Sequence, residues 1–121
     1  MTLQILPQIF TVCKVPEISA ELLQTPFCFT AVTDTERSLL CPTPAVPQSC
    51  TERSDGWRGL RVKGTLDFAL IGILARLTAL LAEHAVSVFA VSTYDTDYLF
   101  VRESQWTVAL NVLRSGGYGI E

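Results

Sequence analysis

Phe89-Ala-Val-Ser-Thr-Tyr-Asp-Thr-Asp-Tyr-Leu-Phe-Val101 reads as two short apolar strands joined by a polar turn. Tyr94 to Asp97 supplies the reversal, because Asp and Thr side chains hydrogen-bond the neighbouring backbone and favour a turn. The same outline occurs 60 residues earlier, in Phe29-Thr-Ala-Val-Thr-Asp-Thr-Glu-Arg-Ser-Leu-Leu-Cys41. The two stretches align without gaps: Phe29 falls against Phe89, Thr33 against Thr93 and Leu39 against Leu99. The offset is about half of the 121-residue chain. The pattern therefore stands either for a duplicated unit or for two hairpins of shared composition.

Working outward from this hairpin, Trp57 to Lys63 predicts a strand with Trp57, Leu60 and Val62 as its large apolar residues. Gly64-Thr-Leu-Asp67 predicts a turn running into a helix over residues 68–84, whose Leu70, Ile73, Leu74, Leu77, Leu80 and Leu81 share one broad face. Val86 to Thr93 and Tyr98 to Arg102 are the hairpin strands. Ser104 is placed to cap a following helix, in which Trp106, Ala109, Leu110 and Leu113 recur at i, i+3, i+4 and i+7. Gly116-Gly117 ends that helix, since glycine takes the left-handed cap without steric cost. Tyr118 to Ile120 supplies a last strand. The order β-α-β-β-α-β is the ferredoxin-like arrangement, which sets the fold class as α+β.

The first half predicts the same outline with parts missing. Gln8 to Val15 is a strand, Pro16 to Gln24 holds a short helix, and Phe27 to Thr33 with Ser38 to Cys41 makes the hairpin. Pro42, Pro44 and Pro47 stand where a second helix would follow, and proline breaks helices by lacking an amide donor and clashing with the preceding turn. Residues 42–56 are thus expected to form an irregular connector. The reading is of tandem ferredoxin-like βαββαβ units, an abbreviated one over residues 1–56 and a complete one over residues 57–121.

Composition narrows the function. The chain is 49% apolar and 17% charged, which a disordered chain is not. Nine basic residues against twelve acidic ones give a net charge of −3, the wrong sign for a nucleic-acid footprint. The apolar stretch Phe68 to Ala82 is shorter than the roughly 20 residues that span a bilayer. It also carries Arg76 at its middle, so it reads as a buried helix. Cys13, Cys28, Cys41 and Cys50 contain no C-x-x-C pair. Four cysteines admit three disulfide pairings in a secreted chain. The opening Met1-Thr-Leu-Gln-Ile-Leu-Pro7, however, lacks a basic region, a long apolar run and a small-residue cleavage site. A cytoplasmic protein with reduced cysteines packed as small hydrophobes is expected. A zinc site would have to combine irregular spacings with the lone His84, unlike the regular spacings of structural zinc sites. No metal and no cofactor is expected.

Catalytic constellations are lacking as well: no G-x-S-x-G elbow, no H-E-x-x-H and no Gly-rich phosphate loop. A non-enzyme is the expectation. What the residues do offer is a way to hold a zwitterion. The start of the predicted long helix presents backbone N–H groups to a carboxylate. Asp67, Asp95 and Asp97 can accept from an ammonium group, while Ser92 and Thr93 both donate and accept. Each has a structural role open to it too. Asp67 can cap the helix, Asp95 and Asp97 can be turn residues, and Ser92 and Thr93 can close the hairpin.

Trp57-Arg-Gly-Leu-Arg-Val-Lys-Gly-Thr-Leu-Asp-Phe-Ala-Leu-Ile-Gly-Ile-Leu74 and Val88-Phe-Ala-Val-Ser-Thr-Tyr-Asp-Thr-Asp-Tyr-Leu-Phe-Val-Arg102 resemble an ACT domain. With Thr33-Asp-Thr-Glu-Arg-Ser-Leu-Leu-Cys41, nearly the whole chain resembles the small bacterial tandem-ACT proteins related to CASTOR-type arginine sensors. One departure is Asp34, where that pattern carries an Arg. The resemblance implies a regulatory, allosteric, amino-acid-binding protein, associating as a homodimer and acting on a protein effector partner. It places the ligand at Gly64, Thr65, Leu66, Asp67 and Phe68, and at Ser92, Thr93, Asp95 and Asp97. The alternative is an interaction or dimerisation module without a ligand. The acidic pair Asp95 and Asp97 leans toward a basic amino acid.

Overall fold

The computed structural model describes residues 1–64 and 71–121. Among them run β1 (Thr2–Lys14), α1 (Ala20–Gln24), β2 (Phe29–Val32), β3 (Arg37–Pro42), β4 (Glu52–Val62), α2 (Ile73–Glu83), β5 (Val88–Ser92), β6 (Asp97–Arg102), α3 (Trp106–Ser115) and β7 (Gly119–Ile120). Short 3-10 turns occupy Thr43–Ala45 and Glu103–Gln105. The fold is α+β and ferredoxin-like: β-α-β-β recurs, and the later copy continues through α3 to β7. No helix among the described residues is long and apolar enough to cross a membrane.

The two hairpins repeat in register. Phe29 pairs with Leu40 and Val32 with Arg37 in one; Phe89 pairs with Phe100 and Ser92 with Asp97 in the other. Thr33 N donates to Glu36 O at 2.9 Å, and Thr93 N to Thr96 O at the same distance. Even the 3-10 turns that follow start 60 residues apart, at Thr43 and Glu103. The repeat seen in the amino acids is therefore a repeat of backbone geometry.

The chain divides into two compact units, Gln8–Trp57 and Met1–Pro7 with Arg58–Glu121. In the first, β3 pairs antiparallel with both β1 and β2, matching Cys13 to Leu39 and Thr11 to Cys41. Ser19 caps α1, its hydroxyl accepting from Leu22 N at 3.3 Å, a bond that supplies one of the amides a helix start leaves unpaired. The core of this unit is small and rich in sulfur: Cys13, Val15, Leu22, Leu39 and Cys41, with Cys28 and Cys50 packed against it. All four cysteines are free thiols.

A polar cluster lies in the same unit. Thr11 is fully buried, and its hydroxyl donates to Asp55 Oδ1 at 2.6 Å. Arg53 completes the arrangement with an ion pair to Asp55 at 2.8 Å. The Arg53 hydrogen bond, followed by that of Thr11, holds the Asp55 carboxyl below its ordinary value of 3.8. A carboxyl depressed by folding contributes stability above its unfolded pKa and loses it as pH falls through the folded one. Asp55→Asn is therefore expected to be less stable than the parent at pH 7 and to lose that difference progressively as pH falls below the ordinary carboxyl value of 3.8. Urea melts of both proteins across that range check this, and a gap that persists unchanged in acid would contradict it.

In the second unit the strand order is β7, β1, β4, β6, β5. β7 runs parallel to the start of β1, Thr2 beside Gly119 and Leu3 beside Ile120. Ile5 N donates to Glu121 O at 2.8 Å, and Lys63 N to Thr2 O at 2.9 Å. The first residues of the chain thus lie between β4 and the closing strand. α2 buries Leu77 and Leu81, one helical turn apart, and α3 buries Ala109, Val112 and Leu113. They share a core with Leu3, Leu60, Val62, Val86, Leu99 and Val101. Gly117, at φ +94°, turns the chain out of α3 in the left-handed conformation that glycine reaches freely.

Four expectations about local structure change. Residues 52–56 belong to β4 rather than to an irregular connector, because ladder bonds such as Thr51 N to Lys14 O at 2.9 Å recruit them. β1 begins at Thr2 rather than Gln8 and runs through Pro7, drawn on by β7 and β4. Ser104 is not a helix cap: α3 starts at Trp106, after a 3-10 turn, with no side-chain cap bond at Gln105. The expected start of the long helix at residue 68 lies outside the described residues.

Candidate functional site

Among the described residues, the candidates Gly64, Ser92, Thr93, Asp95 and Asp97 lie on the second unit, around the β5–β6 turn and just past the end of β4. Ser92 closes β5 and Asp97 opens β6 directly opposite it. The Ser92 hydroxyl donates to Asp97 Oδ1 at 2.5 Å, a short charge-assisted bond. Thr93 holds the turn, its hydroxyl donating to Thr96 O at 3.1 Å. Asp95 is exposed at the tip beside Tyr94, which is 81% exposed.

Thr96 is the residue that the sequence reading did not single out. It is one of two buried polar residues among those described. Its hydroxyl donates to Val62 O at 2.8 Å. That bond ties the hairpin turn to the last residue of β4, two positions before Gly64. Gly64 itself is exposed and left-handed, at φ +88°. The structure thus brings Gly64 and the Ser92–Asp97 turn to one end of one unit. Thr65, Leu66, Asp67 and Phe68 lie outside the described residues. The signal for Thr96 was present in the Ser92-Thr-Tyr-Asp-Thr-Asp97 spacing, but only burial reveals that its side chain spans to another strand. Thr96→Val keeps the shape and leaves Val62 O without its donor. About 1–3 kcal/mol of lost stability is expected for a buried acceptor left unsatisfied. Chemical denaturation measures it, and an unchanged midpoint would remove the clamp from the account.

Other residues weighed above have structural places. His84 ends α2, exposed, with Nδ1 3.1 Å from Leu80 O. Arg76 donates to Ile71 O at 3.2 Å. Trp57 is buried, and the Arg58 guanidinium stacks 4.6 Å from the Trp106 ring centre, a cation–π contact. Among the described residues, no three His, Cys, Asp or Glu side chains are grouped to hold a metal ion.

Comparison with known proteins sets this geometry in a family. A protein from Agrobacterium tumefaciens has a similar structure, with TM-score 0.88 and 25% identity, over 99% of this chain and 91% of that one. A Vibrio cholerae protein of unknown function, described as a possible transport protein, is similar at TM-score 0.71 and 18% identity, over 93% and 86% of the two chains. The aspartate kinase of Clostridium acetobutylicum, an allosteric enzyme, shares the fold at TM-score 0.61 and 14% identity, over 88% of this chain and 32% of its own. No curated protein matches the chain. Residues 52–115 match the ACT domain, more than half of the sequence and the stretch that carries β4, α2, the clamped hairpin and α3, and the chain accordingly belongs to the ACT domain family of regulatory modules.

Proposed function

We propose that this chain is a tandem-ACT regulatory protein, related to the small bacterial proteins that resemble CASTOR-type arginine sensors, which binds a free amino acid and has no catalytic activity. The observation that carries the reading is the Thr96 clamp, which holds a hydroxyl- and carboxylate-bearing turn beside the end of β4. The ligand site would comprise Gly64, Thr65, Leu66, Asp67 and Phe68 together with Ser92, Thr93, Asp95 and Asp97. Asp97 would take the α-ammonium, exchanging the Ser92 hydroxyl for an N–H donor, and backbone N–H groups from Gly64 onward would take the α-carboxylate. Regulation would follow from linkage: a ligand that binds one state of a homodimer better shifts the population toward it. A protein partner in the cytoplasm would receive that signal. The matching register of the two hairpins supports the tandem reading.

The alternative, an interaction module without a ligand, draws on one specific contact. Ser92 and Asp97 already satisfy each other at 2.5 Å, so neither needs a ligand to complete it. Thermal shift with each of the twenty amino acids separates the two. A ligand at 100 times its Kd adds about 2.7 kcal/mol, which raises Tm by several degrees in a chain of this size. That gain should shrink in Asp97→Asn. A flat response to all twenty from a stable dimer would select the interaction module.

A further inference from the structure

We propose that Cys28 and Cys41 form a cross-strand dithiol pair that a small disulfide oxidises to an intramolecular disulfide. The hairpin register sets them opposite each other. Phe29 pairs with Leu40, so the next position outward from the turn puts Cys28 against Cys41. The later hairpin makes the same step 60 residues on, where Val88 pairs with Val101 beyond Phe89 and Phe100. Phe27, at φ +61°, bends the chain just before this position.

The kind of pair matters. Thr33 N donates to Glu36 O at 2.9 Å, which makes those two a hydrogen-bonded pair. Bonded and non-bonded pairs alternate along an antiparallel ladder. Counted outward from the turn, Cys28–Cys41 is a non-bonded pair, the kind whose Cα atoms stand about 4.5 Å apart with their side chains closest. A disulfide spans Cα separations of about 4.4–6.8 Å. Both side chains pack in or against the small core of the first unit, and their sulfurs are hydrogen-bonded to each other. The other two cysteines have no such partner across the ladder. Cys13 pairs with Leu39, and the Thr51 N to Lys14 O bond sets Cys50 against Val15.

Access orders the two steps. Cys28 is partly exposed and Cys41 has no exposure, so Cys28 meets the oxidant. Burial raises both thiols, Cys41 to about 12, and the hydrogen bond from Cys41 brings Cys28 part of the way back down. Cys28 Sγ, as the thiolate, attacks one sulfur of the small disulfide. That S–S bond breaks, and the released thiolate takes up the proton that Cys28 lost. Cys41 Sγ then attacks Cys28 Sγ and expels the second small thiolate, which leaves with the Cys41 proton. The protein loses two electrons, and the small disulfide gains them as two thiols. Neither protein sulfur has a stabilised thiolate to favour the reduced form, so the closed bond holds.

Equilibration of the intact chain in glutathione buffers of rising oxidised fraction, blocking with N-ethylmaleimide in denaturant and non-reducing peptide mapping test the pair. A Cys28–Cys41 cross-linked peptide is expected, with Cys13 and Cys50 recovered alkylated. Dithiothreitol should remove the link. The oxidised chain should melt several degrees above the reduced one, because the bond constrains the unfolded hairpin. Cys28→Ser should abolish the link, and Cys50→Ser should leave its yield unchanged. The double variant Cys28→Val with Cys41→Val copies the pair that the later hairpin carries, so it keeps the core filled, and its Tm should not respond to the buffer. Four alkylated thiols in the most oxidising buffer, a link from Cys41 to Cys13 or Cys50, or glutathione held on Cys28 with Cys41 still alkylated would each overturn the proposal.

Discussion

Leu77→Ala is expected to cost about 2–5 kcal/mol of unfolding free energy, the range for deleting a buried leucine side chain whose surroundings relax only partly. Leu77 has no solvent exposure. It belongs to the core that α2 and α3 share with β4 and β6, so its removal leaves a cavity lined by buried apolar side chains. Such a loss is a large part of the total stability of a small domain. Urea unfolding should show a lower midpoint with an unchanged slope. Ala79, exposed on the same helix, provides the control: Ala79→Ser should fall within about 0.5 kcal/mol of the parent. A Leu77→Ala loss below 1 kcal/mol would mean that α2 does not seal this core.

Gly59→Ala sets two rules against each other. Alanine loses less backbone entropy than glycine on folding, by roughly 0.5–1 kcal/mol in the middle of a strand or helix. On that ground alone the substitution should stabilise β4. Packing argues the reverse. A Cβ at Gly59 would lie 2.8 Å from Phe100 Cε1 and 3.0 Å from Leu6 Cδ1. Phe100 is fully buried and its ring is stacked on Phe89 at 5.3 Å, while Leu6 is 2% exposed. Neither has room to withdraw, and overpacking of this kind costs typically 1–3 kcal/mol. A net loss is therefore expected, larger for Gly59→Val. Phe100→Leu should recover part of the Gly59→Ala loss in a double-mutant cycle, since the two positions touch. A more stable Gly59→Ala protein would show that the close approach is not binding on the strand.

The local elements were readable because their causes are local. Apolar residues recurring at helical spacing placed α3, and the Gly116-Gly117 pair placed its end. Alternation around a Thr- and Asp-rich turn placed both hairpins, and the 60-residue repeat anticipated their shared register. The candidate turn was legible for the same reason, since Ser92 to Asp97 is one contiguous polar segment.

What the amino-acid order determined by itself was therefore the α+β class, the β-α-β-β-α-β succession of the second half and the abbreviation of the first by proline. Three features were decided only in the folded chain. Residues 1–7 join the later unit between β4 and β7, Thr96 reaches across to Val62, and four scattered cysteines meet in one core. Each is a contact between residues far apart along the chain. Its free energy comes from burial and from pairing backbone groups that water would otherwise hold, and no local spacing records which distant partner supplies it.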